Sequence, residues 1–290
     1  MASSTSPHPI QSVSTAELYN RWAKVYDTDG NILQAVDDSL VPGLLSKAFA
    51  LVGSSSPAGI VVTELGCGTC RNTVKLLTLP TIQTSHGYPS TTSDSEAPSP
   101  TISQIHALDL SRLMLDVGRG RCQDLFSSTI FKNQAIQRPE ISHHEFDALA
   151  PELYPSVLPL QGQADLVLST LVLEHLPVST FFRTIQGFLK PGGVLVLTNM
   201  HAEMGRRGQA GFLDGEKNAG GIKVRGQSYV YEVQEVVDAG KKEGFVPVGD
   251  VIERAIREED VGEGRLLGER GTKWIGTQVW FGFIMRLSAN

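Results

Sequence analysis

An apolar run that empties into a glycine turn, GIVVTELGCGTC over residues 59–70, constrains the fold of this chain more than any other feature. GIVVTEL predicts a buried strand, and residues 69–79 behind it have the spacing of a helix. A strand, a glycine turn and a helix make up the first half of a β-α-β unit. Three interpretations of the turn compete: a redox or metal pair of Cys67 and Cys70, a dinucleotide phosphate loop, and a loop for another adenosine-bearing cofactor.

The alternation of strands and helices continues along the chain. Further strands are predicted at 104–110, 139–149, 164–176 and 194–199, and helices at 112–126, 181–193 and 228–245. Such alternation predicts a mostly parallel sheet covered by helices on both faces. The last two strands, 246–256 and 273–287, have no helix between them, which favours an antiparallel hairpin at one edge. The predicted fold class is therefore α/β, with a doubly wound, seven-stranded sheet.

The N-terminal part of the chain predicts a helical cap. Residues 1–14 are expected to be a disordered lead, and one domain is expected from residue 15 to residue 290. Apolar residues at helical spacing predict one helix within 15–30 and a second over 33–52, interrupted near Pro42.

Two further segments depart from the strand and helix pattern. Residues 80–101 are dominated by Ser, Thr and Pro, and they can bury too little surface to offset their ordering entropy. They predict a mobile insertion, because strand pattern resumes directly after them. Residues 200–227 are rich in glycine and predict an irregular lid segment.

Composition narrows the classes of function. A hydrophobic content of 41% is that of a globular protein, and no apolar run approaches the roughly 20 residues of a membrane helix. Three cysteines and the polar N-terminus favour a reducing, cytoplasmic setting. The net charge of −6 makes nucleic acid an improbable partner. A local basic patch of Arg206, Arg207, Lys223 and Arg225 competes with the simpler interpretation of a solvated loop.

The residues of the glycine turn distinguish its three interpretations. A single CxxC lacks the second pair that a structural zinc site needs, so Cys67 and Cys70 are interpreted as small fillers of a tight turn and no metal is expected. A dinucleotide loop needs a third glycine where this chain has Arg71, and Glu64 would repel a pyrophosphate.

Glu64 suits instead a cofactor that carries positive charge and no phosphate, as S-adenosylmethionine does. Gly66 and Gly68 allow the backbone to approach such a cofactor closely. A second carboxylate, Asp109, ends the next strand and can hold ribose hydroxyls. Removing the Ser/Pro-rich insertion restores the usual separation of about 20 residues between these two acids.

At this point the sequence resembles the class I S-adenosylmethionine-dependent methyltransferases. ELGCGTCRNT, ALDLSRLML, HEFDAL, ADLVLSTLVLEHL and FLKPGGVLVLTN resemble five motifs of that family in their usual order. The first motif usually has a glycine where this chain has Cys70. The resemblance implies a Rossmann-like fold and the following cofactor-binding residues: Tyr26, Glu64, Gly66, Cys67, Gly68, Thr69, Asn72, Asp109, Leu110, Ser111, Met114, Asp147, Ala148, Ser169, Thr170 and Leu171.

Three other segments resemble a subgroup that acts on small molecules: YNRWAKVYDTDGN, TNMHAEMGRRGQAGFLD and SYVYEVQEVVDA. In the third segment Tyr231 occupies the position of a histidine. The resemblance places Tyr19, Trp22 and Phe212 near the substrate, although packing in the core is the simpler interpretation for Trp22.

Methyl transfer needs alignment first and a base only for some nucleophiles. His175, His201 and Tyr231 are the candidates for catalytic roles, and His175 competes with an interpretation in which it only packs beside the cofactor. The predicted function is methyl transfer from S-adenosylmethionine to O, N or C of a small metabolite, in biosynthesis. The alternatives are a protein or RNA methyltransferase and a regulatory protein that binds the cofactor without transferring methyl.

Overall fold

The computed structural model describes residues 9–53, 59–85, 100–128, 131, 138–215 and 221–289. Residues 86–99, most of the predicted insertion 80–101, and residues 1–8 of the predicted lead lie outside this range.

The molecule is built on a seven-stranded sheet with the order β4-β3-β2-β5-β6-β10-β9. Its strands are β2 (Ile60–Leu65), β3 (Ile102–Asp109), β4 (Glu140–Glu145), β5 (Ala164–Thr170), β6 (Leu189–Met200), β9 (Phe245–Ala255) and β10 (Gln278–Leu287). The pairs from β4 to β6 are parallel, and β10 is antiparallel to both β6 and β9. The predicted α/β class and the C-terminal antiparallel hairpin are confirmed.

Several α-helices with complete bounds accompany these strands within the described residues. They are α1 (Thr15–Trp22), α2 (Ile32–Val52), α3 (Arg71–Ser85), α4 (Arg112–Ser127), α5 (Val178–Phe188), α6 (Ala202–Arg207) and α7 (Val233–Lys242). Side chains from α2 and α3 pack in one apolar cluster, and those from α5 and α7 pack in another. The strands β2, β5 and β6 are nearly continuous apolar runs because both faces of the sheet are covered. No helix among the described residues is long and apolar enough to cross a membrane.

The predicted interruption of the second helix is wrong. The helix α2 runs unbroken from Ile32 to Val52 with Pro42 inside it. Proline removes one helical hydrogen bond, but α2 buries Val41, Leu44 and Leu45 on either side of it. Burial of these side chains offsets the lost bond.

A second, three-stranded sheet was not predicted. It has the order β1-β8-β7, with β1 (Ile10–Ser12) parallel to β8 (Ile222–Arg225) and β7 (Gly211–Asp214) antiparallel to β8. The expectations of a disordered lead and of an irregular lid are therefore wrong for these residues. Strands of three or four residues have too few positions to show an alternating pattern, and pairing across the chain stabilises them.

Several element boundaries also differ from prediction. The first helix ends at Trp22, because residues 23–29 form turns. The helix α3 continues to Ser85, inside the predicted insertion. Residues 191–193 lie in β6 instead of closing a helix. Residues 269–274, near the start of the predicted last strand, form a 3-10 helix.

A buried carboxylate joins the cap to the sheet. Asp37 of α2 has no exposed surface, and its Oδ1 accepts hydrogen bonds from Thr198 Oγ1 at 2.6 Å and Trp280 Nε1 at 2.9 Å. Its Oδ2 faces Asn72 Nδ2 at 3.4 Å and Arg71 Nη2 at 3.7 Å. Burial raises the pKa of Asp37, while Arg71 and the hydrogen bonds favour the charged form. One side chain thus connects α2, α3, β6 and β10.

We expect Asp37→Ala to lower the free energy of unfolding by about 3 kcal/mol or more, because Arg71 and Trp280 would lose a buried partner. The neighbouring Asp38 is the matched control, since its own side chain is 43% exposed, although it pairs with Arg71 and Lys75. Asp38→Ala should cost less than about 1 kcal/mol. Urea denaturation of the two variants checks this, and equal losses would contradict a special role for Asp37.

Candidate active site

A first cavity of about 260 Å³ lies at the carboxyl ends of β2, β3 and β5. Parallel strands end at one edge of a sheet, so the loops that follow them converge there. The glycine turn after β2 forms one wall, and α1 of the cap forms the opposite wall through Ser14, Thr15, Ala16 and Tyr19.

The two glycines of the turn are required for different reasons. Gly66 has φ +75°, and a Cβ there would lie 2.1 Å from Val172 Cγ2. Gly68 has φ +53° and no atom within 4 Å of the position that a Cβ would take. Since Gly68 also lines the first cavity, its open side is space for a ligand against bare backbone.

Asp109 connects the turn to the end of β3. Its Oδ2 accepts a hydrogen bond from Gly68 N at 2.8 Å, and its Oδ1 accepts one from Ser111 N at 2.7 Å. Burial raises the pKa of Asp109 to about 6. A carboxylate oxygen has two lone pairs, so Asp109 can still accept hydrogen bonds from the hydroxyls of a bound sugar.

The charge of the first cavity suits a cationic ligand. Asp109 and Asp147 line it, and among the described residues that form its wall there is no lysine or arginine. A pyrophosphate would meet two carboxylates and no cation here. The residues present therefore fit S-adenosylmethionine, which carries an ammonium and a sulfonium but no phosphate.

The structure brings many of the predicted cofactor-binding residues to this wall. Those that line the first cavity are Tyr26, Gly66, Gly68, Asp109, Leu110, Asp147, Ala148, Thr170 and Leu171. Leu65, Phe146, Leu149, Val172 and Leu176 also line it and were not predicted, because they are apolar neighbours of the motifs. Their side chains give no chemical signal in the sequence.

Other predicted cofactor-binding residues lie behind the wall. They are Glu64, Cys67, Thr69, Asn72, Ser111, Met114 and Ser169. The side chains of Thr69, Asn72 and Ser111 hold neighbouring elements in place. Thr69 Oγ1 donates to Asp27 at 2.8 Å, Asn72 Nδ2 to Thr170 Oγ1 at 2.7 Å, and Ser111 Oγ to Asn20 at 2.7 Å.

Glu64 is the most informative of the residues behind the wall. It is 1% exposed, and its carboxylate accepts a hydrogen bond from Thr73 Oγ1 at 2.5 Å. Burial raises the pKa of Glu64 to about 8. The structure thus places the acid under the turn, bonded to α3, and does not bring it to the cavity.

All three cysteines are buried, Cys67 and Cys70 in the glycine turn and Cys122 on α4. The sulfurs of Cys70 and Cys122 and a ring nitrogen of His143 lie within 4.8 Å of one another, the one such set of possible metal ligands among the described residues. Cys70 has φ +60°, and its sulfur occupies space that a Cβ on Gly118 would fill. Because this cluster does not line the first cavity, we interpret it as packing of the turn against α4 and β4.

A second cavity of about 360 Å³ adjoins the first, and Tyr19, Tyr26 and Leu171 line both. The predicted substrate residues Tyr19, Trp22 and Phe212 all line it. Trp22 stacks on Phe212 with ring centroids 5.4 Å apart, and Tyr26 meets Trp22 edge to face at 5.1 Å. Aromatic side chains from the helical cap and from the three-stranded sheet therefore form one wall of the second cavity.

His175 is tied to Tyr19 at the junction of the two cavities. Its Nδ1 lies 3.2 Å from the carbonyl of Gln227, and its Nε2 lies 2.7 Å from Tyr19 Oη. A carbonyl only accepts, so Nδ1 carries the proton and Nε2 accepts from the tyrosine hydroxyl. Burial lowers the pKa of His175 to about 4, which keeps the ring neutral.

Glu174 is a functional candidate that sequence reasoning missed. It is 4% exposed, lines the second cavity, and its Oε2 has no hydrogen-bond partner among the described residues. Burial raises the pKa of Glu174 to about 8. Its position four residues after Thr170, the last residue of β5, was the available signal, since the loops after parallel strands line the site.

Two predicted catalytic residues lie away from both cavities. His201 caps α6, with Nδ1 accepting from Glu203 N at 3.1 Å and Nε2 lying 2.9 Å from Glu253. The hydroxyl of Tyr231 donates to Leu176 O at 2.9 Å and accepts from Val178 N at 3.1 Å. The side chains of His201 and Tyr231 therefore make structural hydrogen bonds to neighbouring elements.

Comparison with known proteins agrees with this geometry. A family model described as a methyltransferase domain matches residues 90–197. An uncharacterized methyltransferase of Emericella nidulans is 37% identical over 289 residues, which cover 95% of this chain and 91% of the relative.

Solved structures share the fold at low sequence identity. The [4+2]-cyclase SpnF superposes with a TM-score of 0.55 at 15% identity, covering 99% of this chain and 100% of that one. The magnesium protoporphyrin IX methyltransferase of Synechocystis, solved with bound SAH, superposes with a TM-score of 0.52 at 12% identity. The match covers 94% of this chain and 97% of that one. The acid-lined first cavity, the methyltransferase domain and the fungal relative lead to one conclusion: this chain belongs to the S-adenosylmethionine-dependent methyltransferases.

Proposed function

We propose that this methyltransferase transfers a methyl group to O, N or C of a small organic molecule, in biosynthetic metabolism. One observation carries the proposal: the acid-lined first cavity meets a separate, aromatic-walled second cavity along Tyr19, Tyr26 and Leu171. A cofactor in the first cavity would present its reactive end to a molecule in the second.

The first cavity suggests how the cofactor lies. Asp109 would accept hydrogen bonds from the ribose, and Asp147 with Ala148 would flank the adenine. Gly68 would lie against the backbone side of the cofactor, where its missing Cβ leaves room. Thr170 and Leu171, at the end of β5, would then face the methionine part and direct the sulfonium toward the junction.

When bound, S-adenosylmethionine supplies an electrophilic methyl group on a good leaving group. The chain then has to align the nucleophile, exclude water and remove a proton where the nucleophile carries one. Tyr19 and Tyr26 wall the junction, and their rings can stabilise positive charge through cation–π attraction. Burial raises the pKa of Tyr26 to about 12 and that of Tyr19 well above its usual value, so both stay protonated.

Glu174 is the residue best placed to take a proton from the acceptor. Glu174 lies in the wall of the second cavity and has a carboxyl oxygen without a hydrogen-bond partner among the described residues, and a pKa of about 8 is close to the pH at which a general base works best. His175 acts through Tyr19: it fixes the direction of the tyrosine hydroxyl and so positions that side chain against the acceptor.

The size and cover of the second cavity support a small acceptor. Its volume of about 360 Å³ is in the range of pockets for small molecules. Side chains from α1, from the turn at residues 29–31 and from β7 and β8 surround it. A protein or RNA acceptor would need an open groove to reach the junction.

A labelled-methyl screen tests the proposed function. The protein is first titrated with S-adenosylhomocysteine by calorimetry and then incubated with labelled S-adenosylmethionine and metabolite, protein or RNA fractions. Label in a small metabolite supports the proposal. Label in the protein or RNA fraction alone would replace it with a macromolecular acceptor, and cofactor binding with no label in any fraction would favour a binding protein.

We expect Asp109→Ala to weaken binding of S-adenosylhomocysteine at least tenfold, or by about 1.4 kcal/mol, because the ribose would lose its acceptor. Asp116→Ala is the matched control on α4, since Asp116 is exposed and pairs only with Arg119 among the described residues. Calorimetric titration measures both. Undiminished binding by the Asp109 variant would contradict the assignment of the ribose.

We expect Glu174→Gln to lower kcat about a hundredfold for an O–H or N–H acceptor from the screen, because the amide cannot take the proton. In the wild type, kcat should rise with pH through about 8, since the deprotonated carboxylate is the active form. The variant should lose this rise and keep its affinity for S-adenosylhomocysteine.

Glu235→Gln, an exposed position on α7, is the control for the same chemical change. A Glu174 variant with an unchanged pH profile would show that another group, or none, takes the proton.

A further inference from the structure

The second cavity differs from the first in the charge of its wall. Five cationic side chains line it: Arg207, Lys223, Arg225, Arg270 and Lys273. The acids in the same wall are Asp29 and Glu174. Glu174 is largely protonated at neutral pH because burial raises its pKa to about 8. The wall therefore carries an excess of positive charge, in a chain whose net charge is −6.

Some of these cations already have partners. Arg207 donates to Thr277 and to the carbonyl of Lys273, and its guanidinium lies 5.0 Å from the centre of the Trp274 ring. Arg270 donates to the carbonyl of Asp29. The ammonium of Lys273 also lies over Trp274, at 5.0 Å. These three side chains shape the rim of the cavity.

Lys223 and Arg225 are different. They are alternate residues of β8, so both point to the same side of that strand. Neither forms a salt bridge within the described part of the chain, and Arg225 Nε is buried without a hydrogen-bond partner there. Burial lowers the pKa of Lys223, and the positive charges of Arg225 and Lys273 lower it further. Cations that face one another without an acid are stabilised when an anion binds between them.

The position of this pair matters for the acceptor. Lys223 and Arg225 line only the second cavity, whereas Tyr19, Tyr26 and Leu171 line the junction with the first. Trp22 and Phe212 line the same cavity, and Phe212 of β7 pairs with Val224, the residue between the two cations on β8. A molecule in this cavity with its methylated atom at the junction would present its remaining groups to these rings and to the cations.

We propose that the methyl acceptor carries an anionic group, a carboxylate or a phosphate, which Lys223 and Arg225 bind in the second cavity, apart from its junction with the first. This inference rests on the proposed function, because it takes the second cavity as the acceptor site. Arginine suits either anion, since its planar fork gives two parallel hydrogen bonds.

The test uses three naphthalene probes on the full chain saturated with S-adenosylhomocysteine. 2-Naphthoate, 2-naphthyl phosphate and the uncharged 2-naphthamide share one ring system, and calorimetry measures the affinity of each. We expect at least one anionic probe to bind about tenfold more tightly than the amide. The tighter of the two anions identifies the group. Equal affinities of the three probes, or no binding of either anion, would overturn the proposal.

Two variants assign the effect to the pair. Arg225→Gln and Lys223→Gln should each weaken the preferred anion about tenfold and leave the affinities of 2-naphthamide and S-adenosylhomocysteine within about twofold. Lys242→Gln removes the same charge from the exposed end of α7 and should change none of these affinities. Unchanged anion binding in both variants of the pair would refute their role.

The cofactor titration distinguishes a failure of the proposed function from a failure of the anion site alone. If S-adenosylhomocysteine does not bind the wild-type chain, the proposed function fails. If it binds and the charged probes gain nothing over the amide, only the anion site fails. A variant that fails to bind S-adenosylhomocysteine is misfolded, and the other variant of the pair then decides the outcome.

Discussion

The carboxylate of Asp37 holds together the parts of the molecule on which the site depends. It accepts hydrogen bonds from β6 and β10 and faces the arginine and asparagine at the start of α3. Asn72 in turn bonds Thr170, at the end of β5 in the wall of the first cavity. A buried charge is tolerated only where its partners are fixed, so this contact also fixes α2 against the sheet. The cap that covers the site is therefore anchored through the core.

A second anchor fixes the cap directly to the glycine turn. Asp27, in the turn between α1 and α2, accepts hydrogen bonds from Thr69 at 2.8 Å and from Arg121 at 2.6 Å. Tyr26 is the residue before it and lines both cavities. The tyrosine at the junction is thus held by the same turn that would hold the cofactor. Under the proposed function, alignment of the two reactants would depend on this connection.

The two cavities differ in the charge of the side chains that line them. Carboxylates without lysine or arginine line the first, which suits a cationic nucleoside, and cations outnumber acids in the second. Two protonated tyrosines, Tyr19 and Tyr26, line both cavities, and His175, with a pKa of about 4, is hydrogen-bonded to Tyr19. Low polarity at the junction strengthens the directional contacts that methyl transfer needs. Shared fold alone does not decide chemistry, since the SpnF structure, named as a cyclase, has the same architecture.

The sequence by itself determined the order in which the strands and helices around the main sheet follow one another along the chain. It also determined the glycine turn and the acid at the end of β3. Short stretches of sequence encode these features, because hydrophobic periodicity, a glycine turn and a polar residue at the end of a strand are local signals. Thr69, Asn72 and Ser111 show the limit of such signals: each lies in a motif, and each turns its side chain away from the cavity to hold another element.

Only the tertiary structure decided which side chains line the second cavity. Ile10–Ser12 and Ile222–Arg225 pair across more than two hundred residues, and that pairing brings Lys223 and Arg225 to the cavity. Glu174 became a candidate base through burial, which shifts its pKa, and the sequence around it carries no sign of that burial. Charge, proton affinity and the shape of the second cavity arise from contacts between distant segments, and such contacts have no local pattern from which they could be predicted.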